Sequence, residues 1–284
     1  MKEQTLQFGP ENALVGTLAI PDKNHVGIGA LLFNAGVVPR IGPNRLNVRI
    51  TRALAEQGIP ALRFDLSGRG DSAPARGMES YEQQAIADLR AAMDLMTQRT
   101  GVRRFAVMGI CSGAENAFHA ALADERIIGI TLLDSYHYPT WRTSLNRFRQ
   151  RARMQGGVIP ATFAWIRRRL RPHGSGGNGA VKHDSAAATS FGSIRPTAAE
   201  FAAKLKLLLD RGVAIDLLFS GSFLETYNYP NQFRDVFARY GIVDRMRVEY
   251  QPELDHTLST ALMQQAMVAR TQRWFAEMGS DPVC

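Results

Sequence analysis

A chain of 284 residues with 45% hydrophobic and 21% charged residues is long enough to bury one sizeable core and too apolar for global disorder. It contains no run near the roughly 18 apolar residues of a membrane-spanning helix, and Met1-Lys2-Glu3-Gln4-Thr5 lacks the basic-then-apolar order of a secretory leader. The net charge of +8 is local: ten basic residues and no acidic one lie between Arg142 and Lys182, so +10 there leaves −2 for the remainder. In chain order, Thr5–Phe8 and Leu14–Ile20 read as strands around a turn at Gly9-Pro10. Gly27–Asn34 is a continuous apolar run, as in a strand buried on both faces. Leu46, Ile50 and Leu54 repeat at helical spacing in Asn44–Gln57, and Gly58 stops that helix. Ile59–Asp65 is a strand, and Ser80-x-x-Gln83 is a capping box that opens a helix. Arg104–Ile110, Ser112–Ala123 and Ile127–Asp134 then read as strand, helix and strand.

The alternation breaks from about His137 to Pro196, which holds the basic run, two helical pieces and a Gly- and Ala-rich stretch, Gly174–Ser193, expected to be flexible. It resumes with a helix at Thr197–Arg211, a strand at Ile215–Ser220, a helix near Gln232–Tyr240, a strand at Met246–Tyr250 and a helix at Thr257–Met278. Repeated alternation predicts an α/β fold, doubly wound around a mostly parallel sheet. The expected organisation is a core of residues 1–136 and 197–284 with a basic cap over residues 137–196.

In such sheets sites form at the carboxyl ends of strands. After Arg104–Ile110 comes Gly109-Ile110-Cys111-Ser112-Gly113, a G-x-C-x-G elbow between a strand and a helix. A sharp turn there would project Cys111 above the sheet at a helix N-terminus, which favours a thiolate. The backbone N–H of Ser112 would face a developing oxyanion. The bland alternatives are an inert buried Cys111 or Ser112 itself as nucleophile, one position off the elbow centre. Cys111 and Cys284 do not form a disulfide framework, and a reduced, cytoplasmic setting is expected.

A thiol nucleophile needs a base. Of six histidines, His256 lies in the loop between the last strand and the last helix, at the edge where a base reaches the elbow. His137, just past a strand, is a candidate substrate contact. Two carboxylates compete to orient His256: Glu225, in the loop after the penultimate strand, and Asp134, after Ile127–Leu133. The second oxyanion donor is expected from Asn34-Ala35-Gly36-Val37-Val38, with the Val37 N–H as donor. Arg40 and Arg45, just beyond, either bind an anionic substrate group or tie the loop to the sheet. No metal or other cofactor is expected.

With these residues the chain resembles the α/β-hydrolase superfamily. Phe64-Asp65-Leu66-Ser67-Gly68-Arg69-Gly70-Asp71-Ser72 looks like the D-x-x-G-x-G-x-S turn after the fourth strand of many members. Arg40-Ile41-Gly42-Pro43-Asn44-Arg45, Ala53-Leu54-Ala55-Glu56-Gln57-Gly58 and Arg63-Phe64-Asp65 look closer to the exosortase-associated hydrolases, which also tend to place Cys at the elbow. In that branch the loop after the penultimate strand usually carries an Asp, whereas here Ser222-Phe223 stand in its place. The resemblance implies an acyl-transfer site and leaves the substrate open.

The expected function is an acyl-transfer enzyme, thioesterase- or acyltransferase-like. It would form a thioester on Cys111 from an ester or thioester and release the acyl group to water or another nucleophile. The alternative is a binding protein on a retired hydrolase fold. The expected partner is a small-molecule or carrier-bound acyl substrate, with an acidic acyl carrier protein or a membrane surface as possible targets of the basic insert. Nucleic acid is not expected, because no binding fold accompanies the charge. Around Phe163 and Trp165 the insert pairs aromatic residues with Arg167, Arg168 and Arg169, as a cap shielding an acyl chain would, and Trp165 is the expected contact.

Overall fold

The structure, a computed structural model, describes residues 1–22, 27–77, 79–154 and 195–280. Eight strands form one sheet: β1 (Lys2–Phe8), β2 (Leu14–Ile20), β3 (Ile28–Leu32), β4 (Ala61–Phe64), β5 (Arg104–Ile110), β6 (Ile127–Leu133), β7 (Ala214–Ser220) and β8 (Arg247–Gln251). Their spatial order is β1-β2-β4-β3-β5-β6-β7-β8. The pairings β1–β2 and β2–β4 are antiparallel and every other pairing is parallel. The helices are α1 (Leu46–Glu56), α2 (Tyr81–Thr100), α3 (Ser112–Ala123), α4 (Trp141–Met154), α5 (Ala198–Asp210), α6 (Gln232–Phe237) and α7 (Ala261–Ser280).

The continuous apolar strands follow from cover on both faces. Along β5, Phe105 and Val107 join a core with Leu89 and Met93 of α2, Phe118 of α3 and Leu205 of α5. Ala106, Met108 and Ile110 point the other way, into a core with Leu46, Ile50 and Leu54 of α1 and Trp274 and Phe275 of α7. The expected capping box is present: Ser80 Oγ accepts from Gln83 N–H, and Gln83 Oε1 accepts from Ser80 N–H. Thr197 and Glu200 form a second such box at the start of α5.

Among the boundaries that differ from the sequence expectation, two lie where side chains compete with the ladder or helix. β3 stops at Leu32, and Asn34 leaves the sheet to hydrogen-bond Val38 O and Asp65. The last helix begins at Ala261 rather than Thr257, because the Asp255 carboxylate accepts from Thr257 N–H and Ser259 N–H and closes a separate turn. The helix expected near Gln232–Tyr240 is α6 followed by a 3₁₀ turn, Ala238–Tyr240.

The described start of the basic insert is fastened to the segment after β7. Arg142 pairs with Asp235 at 3.1 Å, and Arg147 and Arg151 pair with Glu225 at 2.5 and 3.0 Å. Asn228 Nδ2 donates to Thr143 O. Three of the five arginines on α4 therefore face the chain's own carboxylates, Asp235 and Glu225. The flexible stretch Gly174–Ser193, the segment around Trp165, His25 and Cys284 lie outside the described residues. Among the described residues no helix is long and apolar enough to cross a membrane.

One buried ion pair locks α7 to the sheet. Asp216 on β7 has no exposed surface, and Arg270 is 4% exposed. Arg270 donates through both terminal nitrogens to the Asp216 carboxylate, and through Nε to Glu249 on β8. Arg270→Leu strips Asp216 of its counter-charge and is expected to cost about 3–5 kcal/mol of unfolding free energy. Denaturant unfolding monitored by circular dichroism measures this, and an unchanged midpoint would show that the pair contributes nothing.

Candidate active site

The turn from β5 into α3 is built by what cannot be there. A Cβ on Gly109 would lie 2.2 Å from Gly113 O, and one on Gly113 would lie 2.7 Å from Asn34 O. The two glycines let the elbow close on itself and let the loop after β3 pass against it. Between them Cys111 adopts φ 58°, ψ −126°, a conformation costly for a residue with a side chain, by about 1–3 kcal/mol. The half-buried thiol stands at the N-terminus of a twelve-residue helix, where unpaired N–H groups favour negative charge.

His256 hydrogen-bonds to the Cys111 side chain. Its Nδ1 donates to Asp134 Oδ2 at 2.8 Å, so Nε2 is the nitrogen left for the thiol. Asp134 is fully enclosed and also accepts from Ser220, Oδ1 from the backbone N–H and Oδ2 from the hydroxyl, both at 2.7 Å. The His256 backbone N–H donates to Ser222 Oγ at 2.7 Å. Burial opposes charge on His256, but the hydrogen bonds to Asp134 and Cys111 and the negative charge of both raise its pKa to about 9. At neutral pH the imidazole therefore holds a proton beside the Cys111 side chain.

Glu225, the first of the two candidate carboxylates, does not reach His256. It lies half-exposed between Arg147 and Arg151, neutralised by them. The loop after β7 carries no acid at the histidine. Its Ser220 and Ser222 instead hold Asp134 and the His256 backbone.

The loop after β3 is latched at several points. Val38 N–H donates to Ala35 O, closing a turn with Gly36 and Val37 at its centre. Gly36 N–H donates to Ser112 Oγ at 3.0 Å. The Val37 N–H has no partner among the described residues, and Ser112 N–H, in the first turn of α3, has no helical acceptor. Beneath the loop, the fully buried Asp65 accepts from Asn34 Nδ2 at 3.0 Å and from Arg40 N–H at 2.6 Å, and its other oxygen meets the Arg40 guanidinium. Arg40 also pairs with Asp71. Its guanidinium is thus occupied by two carboxylates, and the expectation that it binds an anionic substrate gives way to the structural reading: it ties this loop to the turn after β4.

Arg45 is exposed, at φ 64° just before α1. Its neighbour Asn44 donates to Thr257 O, which places this turn beside the His256 loop. His137 is buried, its Nδ1 within 2.9 Å of Thr226 Oγ1 and its ring among Phe219, Phe223 and Tyr227. Burial lowers its pKa to about 4 against the opposing charge of Asp134, so it is neutral. Trp165 lies outside the described residues. Among those described, no group of three or more His, Cys, Asp or Glu is placed to hold a metal ion.

Sequence reasoning missed Ser220, Ser222, the Ser112 hydroxyl and Asp65. A cue was present for the first pair: a strand-end loop that lacks the usual acid but keeps two hydroxyls suits holding a carboxylate supplied from elsewhere.

The model of the family described as serine aminopeptidase, S33, matches residues 45–188. No curated protein matches the chain. Among solved structures, it is similar to an α/β serine hydrolase without lid from Xanthomonas campestris, at 14% identity and TM-score 0.56, over 99% of this chain and 96% of that one. It is similar to an esterase from Pyrococcus furiosus at 11% identity and TM-score 0.58, over 97% of this chain and 91% of that one. The esterase domain of a Rhodothermus marinus protein aligns at 16% identity and TM-score 0.53, over 97% and 98% of the two chains. These likenesses, with the strand order, establish the α/β-hydrolase fold.

A group whose folded pKa is raised stabilises the fold fully below its unfolded value and loses that contribution as pH rises through the folded one. For His256 the window runs from 6.5 to about 9. Asp134→Asn removes the charge and the carboxylate acceptor, so the imidazole is expected to titrate lower, toward 6.5. Glu225→Gln should leave it unchanged. Imidazole NMR titration reads both, and a wild-type His256 that deprotonates near 6.5 would remove the ion pair from the site.

Proposed function

The chain belongs to the serine aminopeptidase S33 family of hydrolases, and because it carries a cysteine at the elbow we infer that it transfers acyl groups through a thioester on Cys111. The observation that carries this reading is the line Cys111–His256–Asp134, in which His256 Nδ1 donates to Asp134 at 2.8 Å and the ring meets Cys111 on its other side. A serine nucleophile needs a neutral histidine to take its proton. A cysteine is already served by a charged one, because the thiolate is the nucleophile and the imidazolium keeps the proton for the leaving group.

The thiolate of Cys111 attacks the carbonyl carbon of an ester or thioester, and the C=O electron pair moves onto oxygen. The N–H groups of Ser112 and Val37 receive that oxyanion, the first fixed by the helix start and the second by the latched turn. Collapse expels the alkoxide or thiolate, which takes the His256 Nε2 proton. Neutral His256 then accepts a proton from water or from another nucleophile as it attacks the thioester, and Cys111 leaves as thiolate. Asp134 positions the ring and favours its charged form throughout. A thioester reacts with amines more readily, relative to water, than an oxygen ester does, so transfer competes with hydrolysis at this site.

His137 and Arg45 are assigned to substrate contact, His137 from the loop after β6 and Arg45 from the rim beside Thr257. The basic cap over residues 137–196 and the contact at Trp165 belong to the same reading, as does membership of the exosortase-associated branch, on the motifs around Arg40 and Arg63. The acyl substrate is small or carrier-bound. On α4 the charge available to an acidic carrier is reduced, because Arg142, Arg147 and Arg151 face Asp235 and Glu225 of the same chain.

Cys111→Ala is expected to lower acyl-thioester turnover by at least about 10³-fold with the fold retained. Intact mass spectrometry of the wild type with a panel of acyl thioesters should show the acyl adduct, lost in the variant. Turnover by Cys111→Ala near that of the wild type would refute the assignment. The kcat/KM profile of the wild type should fall on its alkaline side near pH 9, as His256 loses the proton the leaving group needs.

A further inference from the structure

Four buried side-chain polar atoms among the described residues lack a hydrogen-bond partner, and two of them, Ser135 Oγ and His137 Nε2, lie within three residues of Asp134. Both residues are 7% exposed. A buried polar group with no partner destabilises the fold that contains it, so two in one short segment call for a reason. Tyr136 and Tyr138 both pack on Phe201, with ring centroids 5.2 and 5.9 Å away, whereas the His137 ring between them meets Phe219, Phe223 and Tyr227; continued alternation would put Ser135 on the His137 side. On that side the His137 ring meets Phe223 at 4.9 Å, and Phe223 meets His256, also at 4.9 Å. His137 is thus on the flank of the Asp134–His256 pair, and Ser135 directly follows Asp134 in the chain.

Their chemistry is complementary. Thr226 Oγ1 donates to Phe223 O at 3.3 Å, so toward His137 it accepts, and Nδ1 carries the imidazole hydrogen. Nε2 is then a bare lone pair on a ring held neutral by burial. It accepts and does not donate, which excludes a carboxylate or phosphate as its partner. Ser135 supplies an O–H donor. Two residues apart on an extended chain, the side chains stand roughly 6–7 Å apart at their bases. One donor and one acceptor at that separation match a group whose own acceptor and donor point in opposite directions.

We propose that Ser135 and His137 form a subsite for a neutral secondary amide of the acyl substrate, Ser135 donating to its carbonyl and His137 Nε2 accepting its N–H. Phe223, partly exposed between the two histidines, is the side chain whose rotation admits the ligand. The proposal rests on the acyl-transfer reading, and binding tests it apart from turnover. Three probes bound to full-length Cys111→Ala separate the sources of the amide: the N-acetylcysteamine thioester of octanoic acid, with an amide on the thiol side; the S-ethyl thioester of octanoylglycine, with an amide on the acyl side; and the S-ethyl thioester of octanoic acid, with none. Calorimetry should show one amide-bearing probe binding at least about tenfold tighter than the amide-free one, a discrimination typical of buried polar groups left unpaired by the wrong ligand. Added to Cys111→Ala, Ser135→Ala and His137→Phe should each abolish that preference. Ser135→Ala should not lower Tm, since it deletes an unpaired hydroxyl, whereas a structural hydroxyl would lower it. Equal affinity for the three probes, binding of none, or a preference surviving both substitutions would overturn the subsite. Amide preference in a protein whose wild type turns over no thioester would count against the acyl-transfer reading alone.

Discussion

A carboxylate without exposed surface must be surrounded by donors or it will not stay charged, and Asp134 is that carboxylate here. Its two oxygens take the Ser220 N–H, the Ser220 hydroxyl and His256 Nδ1. β6, the end of β7 and the loop before α7 therefore converge on one group. The parallel register of β6 and β7 sets the geometry: Asp134 N–H donates to Leu218 O, which leaves the carboxyl group facing the end of the neighbouring strand. The raised pKa of His256 depends in part on this enclosed carboxylate.

A second buried carboxylate does the same work for the other half of the site. Asp65 gathers Asn34, the Arg40 backbone and the Arg40 guanidinium, and so fixes the chain on both sides of Gly36 and Val37. Ser112 fastens the middle of that loop to the elbow through its hydroxyl while its own N–H remains for an oxyanion. The elbow and the loop after β3 are thereby tied together by a hydrogen bond between Gly36 and Ser112. Electrostatic stabilisation of a developing charge requires donors already in place, and in the proposed reaction the Ser112 and Val37 N–H groups would be those donors.

The architecture was legible because both faces of the sheet are covered: long apolar strands and amphipathic helices alternate, and the strand ends single out Cys111 and His256. The orienting acid was harder to read. Glu225 occupies the loop where an acid is usual, but position along the chain says nothing of the two arginines on α4 that claim it. Asp134 could be named from the end of β6 but not preferred, since its partners, Ser220 and His256, lie 86 and 122 residues away. Arg40 stayed open between two readings for the same reason: a cation in a suggestive loop gives no sign that buried Asp65 lies beneath it.

The crowding at Gly109 and Gly113 bears on how such a site changes over time. With Gly113 O within 2.2 Å of any Cβ at 109 and Asn34 O within 2.7 Å of any at 113, neither position tolerates drift. Variation in the motif is confined to the positions between and beside them. Position 111 is half-buried against the core beside α1 and α7, and oxygen is smaller than sulfur, so exchanging one for the other there adds no steric load. What such an exchange requires is a retuned histidine, and that lies in a loop outside the elbow. The backbone of this turn preserves its shape while leaving the chemical identity of its reactive atom open, so a lineage can pass between serine and cysteine chemistry by changing one atom at the tip and a few hydrogen bonds around a distant imidazole.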